Sequence, residues 1–268
     1  WALMHGEWSR LAQAIDSWGW FLNWQGLYAH GESFSRVIIG QLERLLVGES
    51  AVPLACMRVW AKAIAWQAWF SNFDYGPLTV SFEENLALLE QWELSDPSIK
   101  LAKAFLLNAQ GIKVSNNFTD LQAARQYHEQ ALTLFQEFGN EWGIATSLDG
   151  LGTLDFYTGN YASALDNYRA VLVFAQERGD RRVEAESNRM LGHVYGTLGQ
   201  LDEAERLHRE SIRLSDETND RPTLLSFKTS LAMTLLYRGK FEQAHKMADE
   251  NTALCQDLGH RHFEGWVR

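Results

Sequence analysis

Cysteine, proline and positive charge are all scarce in this chain, and each shortage narrows what the protein can be. Its two cysteines among 268 residues, Cys56 and Cys255, sit near opposite ends of a linear array of repeats, where no bridge can be drawn between them. A reduced, cytoplasmic setting is the expectation. Four prolines, Pro53, Pro77, Pro97 and Pro222, and no Ser/Pro-rich or Gly/Ser-rich run leave little room for a flexible linker. Each proline is expected at a break or a helix start, where a missing amide is tolerated. The formal net charge of -10 and a pI near 5.3 mean that the average field repels a phosphate backbone, so nucleic acid is not expected as a direct partner. The best basic stripe, Arg206, Arg209 and Arg213, has Asp202 and Glu205 four residues ahead of its first two members and is expected to be a paired, solvated helix face. No run reaches the roughly 20 continuous apolar residues of a membrane span, and the aromatic N-terminal segment is broken by Asp16, Asn23 and Gln25.

What the chain does have is a period. Gly139, Gly179 and Gly259 stand at a spacing of 40 residues or a multiple of it, with Asn219 in the intervening slot; Gly159, Gly199 and Gly239 keep the same interval, as do Ala124, Ala164, Ala204 and Ala244. Self-similarity at such a period marks a solenoid, in which each unit buries its apolar face by stacking on its neighbours. Between Glu141 and Tyr157 apolar residues recur every three or four positions, and again from Tyr161 to Ala175, so one unit is two helices. The glycines end helices by entering the left-handed region without a side-chain clash. Gly111, Gly152, Gly192 and Ala232 in the first helices, with the alanine series in the second, are expected to let the paired backbones approach to about 8 to 10 Å. The fold class expected is all-α: a right-handed solenoid of about six helical hairpins forming one domain over residues 1–268. Within it, 1–97 are divergent and Trp-rich, 98–259 regular, and 260–268 the start of a further repeat. Both ends look cut, and self-association through Phe263 to Val267 or the N-terminal tryptophans is expected.

Leu151-Gly152, Gly159, Tyr161, Ala164 and Tyr168, repeated as Leu191-Gly192, Tyr195, Gly199, Leu201, Ala204 and His208, resemble the tetratricopeptide pattern. The longer period resembles the C-terminal sensor arms of bacterial STAND ATPases, relatives of maltose-regulon activators. The segment from Trp20 to Phe34 looks like the first helical repeat of such arms. The resemblance implies a concave groove lined by the first helix of each unit, with Trp69, Asn72, Asn108, Ile112, Ser115, Asp149, Thr153, Tyr157, Arg189, His193, Thr229, Met233 and Tyr237 at its positions. It implies a peptide, protein or small-molecule ligand there, and an upstream nucleotide-binding module that the arm controls. The alternative is a constitutive scaffold or adaptor that docks a peptide or protein helix.

Catalytic chemistry is not expected, nor any cofactor or metal. Gly150-x-Gly152 has Asp155 where a dinucleotide fingerprint needs its third glycine. His128-Glu129 has Leu132 where a zinc-protease pattern needs its second histidine. His260 and His262 are a surface pair with too few ligands, and Glu83 and Glu84 diverge around their helix. More informative is that Trp1, Trp8, Trp18, Trp20, Trp24, Trp60, Trp66, Trp69 and Trp92, nine of eleven tryptophans, fall in the first 92 residues. Most are expected to fill gaps between less regular helices. Trp66 and Trp69 are also candidates for the wall of a pocket that stacks on a planar or sugar ring.

Overall fold

The computed structural model describes residues 7–25, 27–45, 52–72, 81–218 and 221–258. These form twelve helices and, among the described residues, no strand: α1 (Trp8–Trp24), α2 (Tyr28–Leu45), α3 (Leu54–Ser71), α4 (Phe82–Glu93), α5 (Ile99–Asn116), α6 (Leu121–Glu137), α7 (Glu141–Tyr157), α8 (Tyr161–Arg178), α9 (Arg181–Thr197), α10 (Leu201–Glu217), α11 (Arg221–Tyr237) and α12 (Phe241–Leu258). The all-α expectation holds. The sequence breaks at Asn219-Asp220 and Gly259-His260, Pro77, the His260/His262 pair and the stretch 260–268 lie outside the described residues.

The recurring turn is one device used again and again. Gly139, Gly159, Gly179, Gly199 and Gly239 have φ of 61°, 81°, 67°, 76° and 73°, and at each the following residue donates its amide back across the helix end. Asn140 N reaches Phe135 O at 2.8 Å, Asn160 N reaches Asp155 O at 2.8 Å, and Gln200 N reaches Tyr195 O at 2.9 Å. This is the Schellman closure, which satisfies carbonyls that the helix leaves unpaired. Helix starts are capped where the sequence offers an acceptor: Asp120 takes the amides of Gln122 and Ala123, and Asp180 that of Val183. The end of α5 has no such glycine, and there Phe118 itself adopts φ of 52°, a left-handed conformation that costs a side-chain-bearing residue energy.

By compactness the chain divides into two units, Trp1–Gly150 and Leu151–Arg268. The first has one large core in which Leu42, Val59, Ile64, Phe70, Leu89 and Trp92 are buried together, adjoined by a smaller cluster of Ala104, Leu107, Ala131 and Phe135. The second has small clusters between neighbouring helices, such as Ala164, Tyr168, Leu191, Val194 and Leu207. Bulky, irregular filling in the first unit accounts for Trp66, Trp69 and Trp92, all buried.

The small residues act differently from the expectation. A Cβ on Gly111 would lie 2.8 Å from the ring of His128, one on Gly152 2.9 Å from Tyr168, and one on Gly192 2.5 Å from His208. The glycines of the first helices therefore make room for a buried ring at positions 128, 168 and 208 of the second helices. Of the alanine series, Ala204 makes a close approach: its Cβ lies 3.7 Å from where a Cβ on Gly196 would be.

Candidate functional site

Each of the rings held by glycine brings a polar network with it. In the first unit His128 Nδ1 lies 2.8 Å from Asn108 Oδ1, while Asn108 Nδ2 donates to Thr146 at 3.0 Å and Ser147 donates to Asn108 Oδ1 at 3.3 Å. Because Asn108 accepts at that oxygen, His128 Nδ1 carries the proton, and Nε2 is left with no partner among the described residues. Burial, with the charge of Arg125 second, pushes the His128 pKa down to about 4. Asn108 is fully buried and serves to join α5, α6 and α7 inside the first unit. It does not face a groove. Ser115 is likewise internal, donating to Gly111 O at 2.8 Å, and Ile112 packs against the large core.

In the second unit, Arg189 of α9 holds Glu186 through Nε and Nη2 and donates from Nη1 to His193 Nε2 at 2.9 Å, with Ser230 Oγ of α11 3.1 Å from the same nitrogen. His193 and His208 rings are 5.1 Å apart, and His208 reaches Thr234 Oγ1 at 2.9 Å and Arg189 O at 3.2 Å. Burial first and neighbouring charge second lower His193 to about 4; burial and His193 lower His208 to about 3. Both imidazoles are neutral at physiological pH. Arg189 and His193, both read from the sequence as groove positions, are half-buried and bonded to each other.

The remaining sequence candidates are dispersed. Thr153 Oγ1 lies 3.1 Å from Tyr168 OH, and Asp149 is half-buried. Thr229 donates to Leu225 O at 2.9 Å and accepts from Asn251 Nδ2 at 3.1 Å. Tyr157, Met233 and Tyr237 are exposed, Tyr237 to 70%. Asn72 caps the end of α3, donating to Ala68 O. The basic stripe on α10 is paired, with one difference from the expected partners: Arg209 holds Glu205, but Arg206 takes Glu203, and Asp202 instead reaches across to Arg238, just past the end of α11. Glu205 also receives Lys240 at 2.8 Å; burial raises its pKa, but the bonds from Lys240 and Arg209 outweigh that and leave it lowered. Among the described residues no group of three or more His, Cys, Asp or Glu side chains is placed to hold a metal ion, and no helix is long and apolar enough to cross a membrane.

Trp69 lies elsewhere, in the wall of a cavity of about 510 Å³ inside the first unit. α1 supplies Asp16 and Trp20, α3 supplies Arg58, Lys62, Trp66 and Trp69, α5 supplies Ala102 and Phe105, and the start of α7 supplies Trp142. The rings meet at steep angles: Trp20 and Trp66 at 5.2 Å and 87°, Trp20 and Trp142 at 4.8 Å and 90°, Trp69 and Trp142 at 4.8 Å and 68°. They therefore enclose space instead of stacking it shut. Trp69 Nε1 donates to Asn23 Oδ1 at 2.8 Å and Trp66 Nε1 to Asp16 Oδ1 at 3.4 Å. Lys62 pairs with Asp16, and Arg58 Nε donates to the buried Asp96, which Ser98 also holds. Hydrogen bonding to Arg58 holds the Asp96 carboxyl below its usual range despite burial.

Reading groove positions from the repeat found Trp69 alone of this set, with Trp66 singled out by its aromatic context. Arg58, Lys62, Asp16, Phe105 and Trp142 were missed. A signal for part of it was present: Arg58, Lys62, Trp66 and Trp69 follow each other at intervals of four, four and three, which places them on one face of α3.

Comparison with known proteins agrees with this architecture. Models described as "Tetratricopeptide repeat" match residues 118–177 and 189–219, and no curated protein matches the chain. Among solved structures, a Rap protein complexed with competence and sporulation factor is similar over 98% of this chain and 78% of its own, at 14% identity and a TM-score of 0.64. BtubC (BKLC) from P. vanneervenii is similar over 87% and 92%, at 14% and 0.63. A STAND protein with a tetratricopeptide repeat sensor from Pyrococcus horikoshii is similar over 83% of this chain, at 16% and 0.57, and the chain spans 33% of that structure's length. At these identities the likeness is one of fold. The family match covers residues 118–177 and 189–219, and over the described residues the fold is an all-α array of helical hairpins like that of these tetratricopeptide proteins.

Proposed function

We propose that this chain is the recognition arm of a STAND-type signalling ATPase, whose ligand binds on the faces of the first helices and controls an attached nucleotide module. The observation that carries the reading is the cavity in the first unit: its wall is built by α1, α3, α5 and the start of α7, the first helices of four consecutive hairpins. Tetratricopeptide arrays recognise their partners with that series of helices, and a concave, largely apolar site with a few placed polar groups is what small ligands and peptide segments require. The fold likeness to a STAND protein with a tetratricopeptide sensor supports the wider assignment. Of the other first-helix positions, Asp149 in the first unit and, separately, Thr153, Tyr157, Arg189, His193 and Tyr237 in the second are proposed as further binding positions.

A ligand switches the nucleotide module only through unequal affinity for the resting and active forms. The test is ligand-stimulated nucleotide hydrolysis by the parent protein, compared between wild type and Ala102→Leu. Ala102 is a small wall residue, so leucine there fills the cavity without removing a contact. Stimulation should be lost in a protein that still folds. Stimulation at the wild-type level in Ala102→Leu contradicts the reading, and ligand binding without any effect on hydrolysis indicates the constitutive scaffold instead.

A further inference from the structure

The geometry points to the class of ligand this cavity takes: an aromatic ring joined to a carboxylate about 12 Å away, the ring among the tryptophans and the carboxylate on Arg58. The inference rests on reading the cavity as the binding site.

The aromatic end selects a planar, apolar group. Its rings stand nearly at right angles, so a guest ring can lie against one face while meeting the edge of another, the arrangement aromatic pairs prefer. Its indole donors on Trp66 and Trp69 are already bonded, to Asp16 and Asn23. A sugar, whose hydroxyls need donors and acceptors inside the site, is poorly served here.

The other end selects an anion. Arg58 uses only Nε on Asp96, and among the described residues no partner is present for its two terminal nitrogens. Asp96 is buried and held in turn by the Ser98 amide and hydroxyl. The guanidinium is therefore held by its root with its fork unspent, and a fork fixed in this way suits the two oxygens of a carboxylate. Lys62, one turn along α3, is held by Asp16. Each cation of the wall has a carboxylate, Asp96 on Arg58 and Asp16 on Lys62, so it is the unspent fork of Arg58 that offers the anion a site.

The span sets the guest's length. Arg58 and Trp66 are eight residues apart on one helix, which is about 12 Å along the axis at 1.5 Å per residue. An aromatic residue about two positions ahead of a free peptide C-terminus bridges that distance in an extended chain, at about 3.3 Å per residue plus the reach of its side chain. An arylalkanoate of similar length offers the same two groups.

Isothermal titration of the chain with acetyl-Trp-Gly-Gly as the free acid and as its C-terminal amide tests this, with indole-3-acetate as the short, non-peptide arm. The free acid should bind at least about tenfold tighter than the amide, and that preference should vanish in Arg58→Gln and shrink in Arg58→Lys, which keeps the charge beside Asp96 but loses the fork. Indole-3-acetate, too short to reach both ends, should bind more weakly than the tripeptide acid; tighter binding of it overturns the length argument. Equal binding of acid and amide, both weakened by Ala102→Leu, sinks the carboxylate while leaving the cavity as the site. Tight acid binding that Ala102→Leu does not weaken overturns both, and so does the absence of binding by every probe.

Discussion

Lowering the pH to about 5 should destabilise both units, and the size of the effect follows from their buried histidines. His128 and His193 are held near pKa 4 and His208 near 3, against about 6.5 in an unfolded chain. The folded protein keeps these imidazoles neutral, so below about pH 6.5 the unfolded state binds more protons. Their contribution to stability is complete above that pH and is lost as pH falls toward the folded values. For a folded value near 4, the loss by pH 5 is about 2 kcal/mol per histidine. His193 and His208 lie in ring contact and titrate as a pair, so the three together remove about 4 to 6 kcal/mol, much of a typical domain's stability. Urea denaturation followed by far-UV circular dichroism at neutral pH and at about pH 5 reads the difference. Stabilised carboxylates such as Glu205 and Asp96 have lowered pKa values and titrate below this window. His128→Gln should be less stable at neutral pH but should lose its share of the pH dependence. A denaturation midpoint that does not move between the two pH values refutes the account of neutral, buried rings.

Two further substitutions test the packing. Gly192→Ala should cost about 1 to 3 kcal/mol by overpacking, because its Cβ would lie 2.5 Å from the His208 ring; a thermal unfolding midpoint equal to wild type would show that the ring can move aside. Phe118→Gly should raise stability by about 0.5 to 1 kcal/mol, because Phe118 holds φ of 52° and is 58% exposed; a lower midpoint by the same measurement would mean that the ring supplies packing worth more than the backbone strain.

The turns were legible in the sequence because a positive φ is a demand that glycine meets cheaply, and five of the marked glycines have it. The helical hairpins followed from the spacing of apolar residues between those turns. The role of Gly111, Gly152 and Gly192 was not legible: a one-dimensional pattern shows a small residue but not what fills the space beside it, and the ring that does so sits on the other helix. For the same reason Asn108 was placed on a surface when it is the buried partner of His128. A hydrogen bond between residues 20 apart in sequence leaves no periodic trace. The cavity was visible in part, as an excess of tryptophan and one face of α3, since its wall draws on four helices, and the residues joining them, Phe105 and Trp142, stand outside the Trp-rich segment.

The central proposal is that recognition occurs in the cavity built by the first helices, and the affinity of an activating ligand for this chain, in wild type and in Ala102→Leu, tests it most directly. Filling a cavity that holds the ligand should weaken binding by at least about tenfold while the thermal midpoint stays at or above that of wild type. An unchanged dissociation constant in the folded variant would contradict the claim and move recognition to another surface of the array.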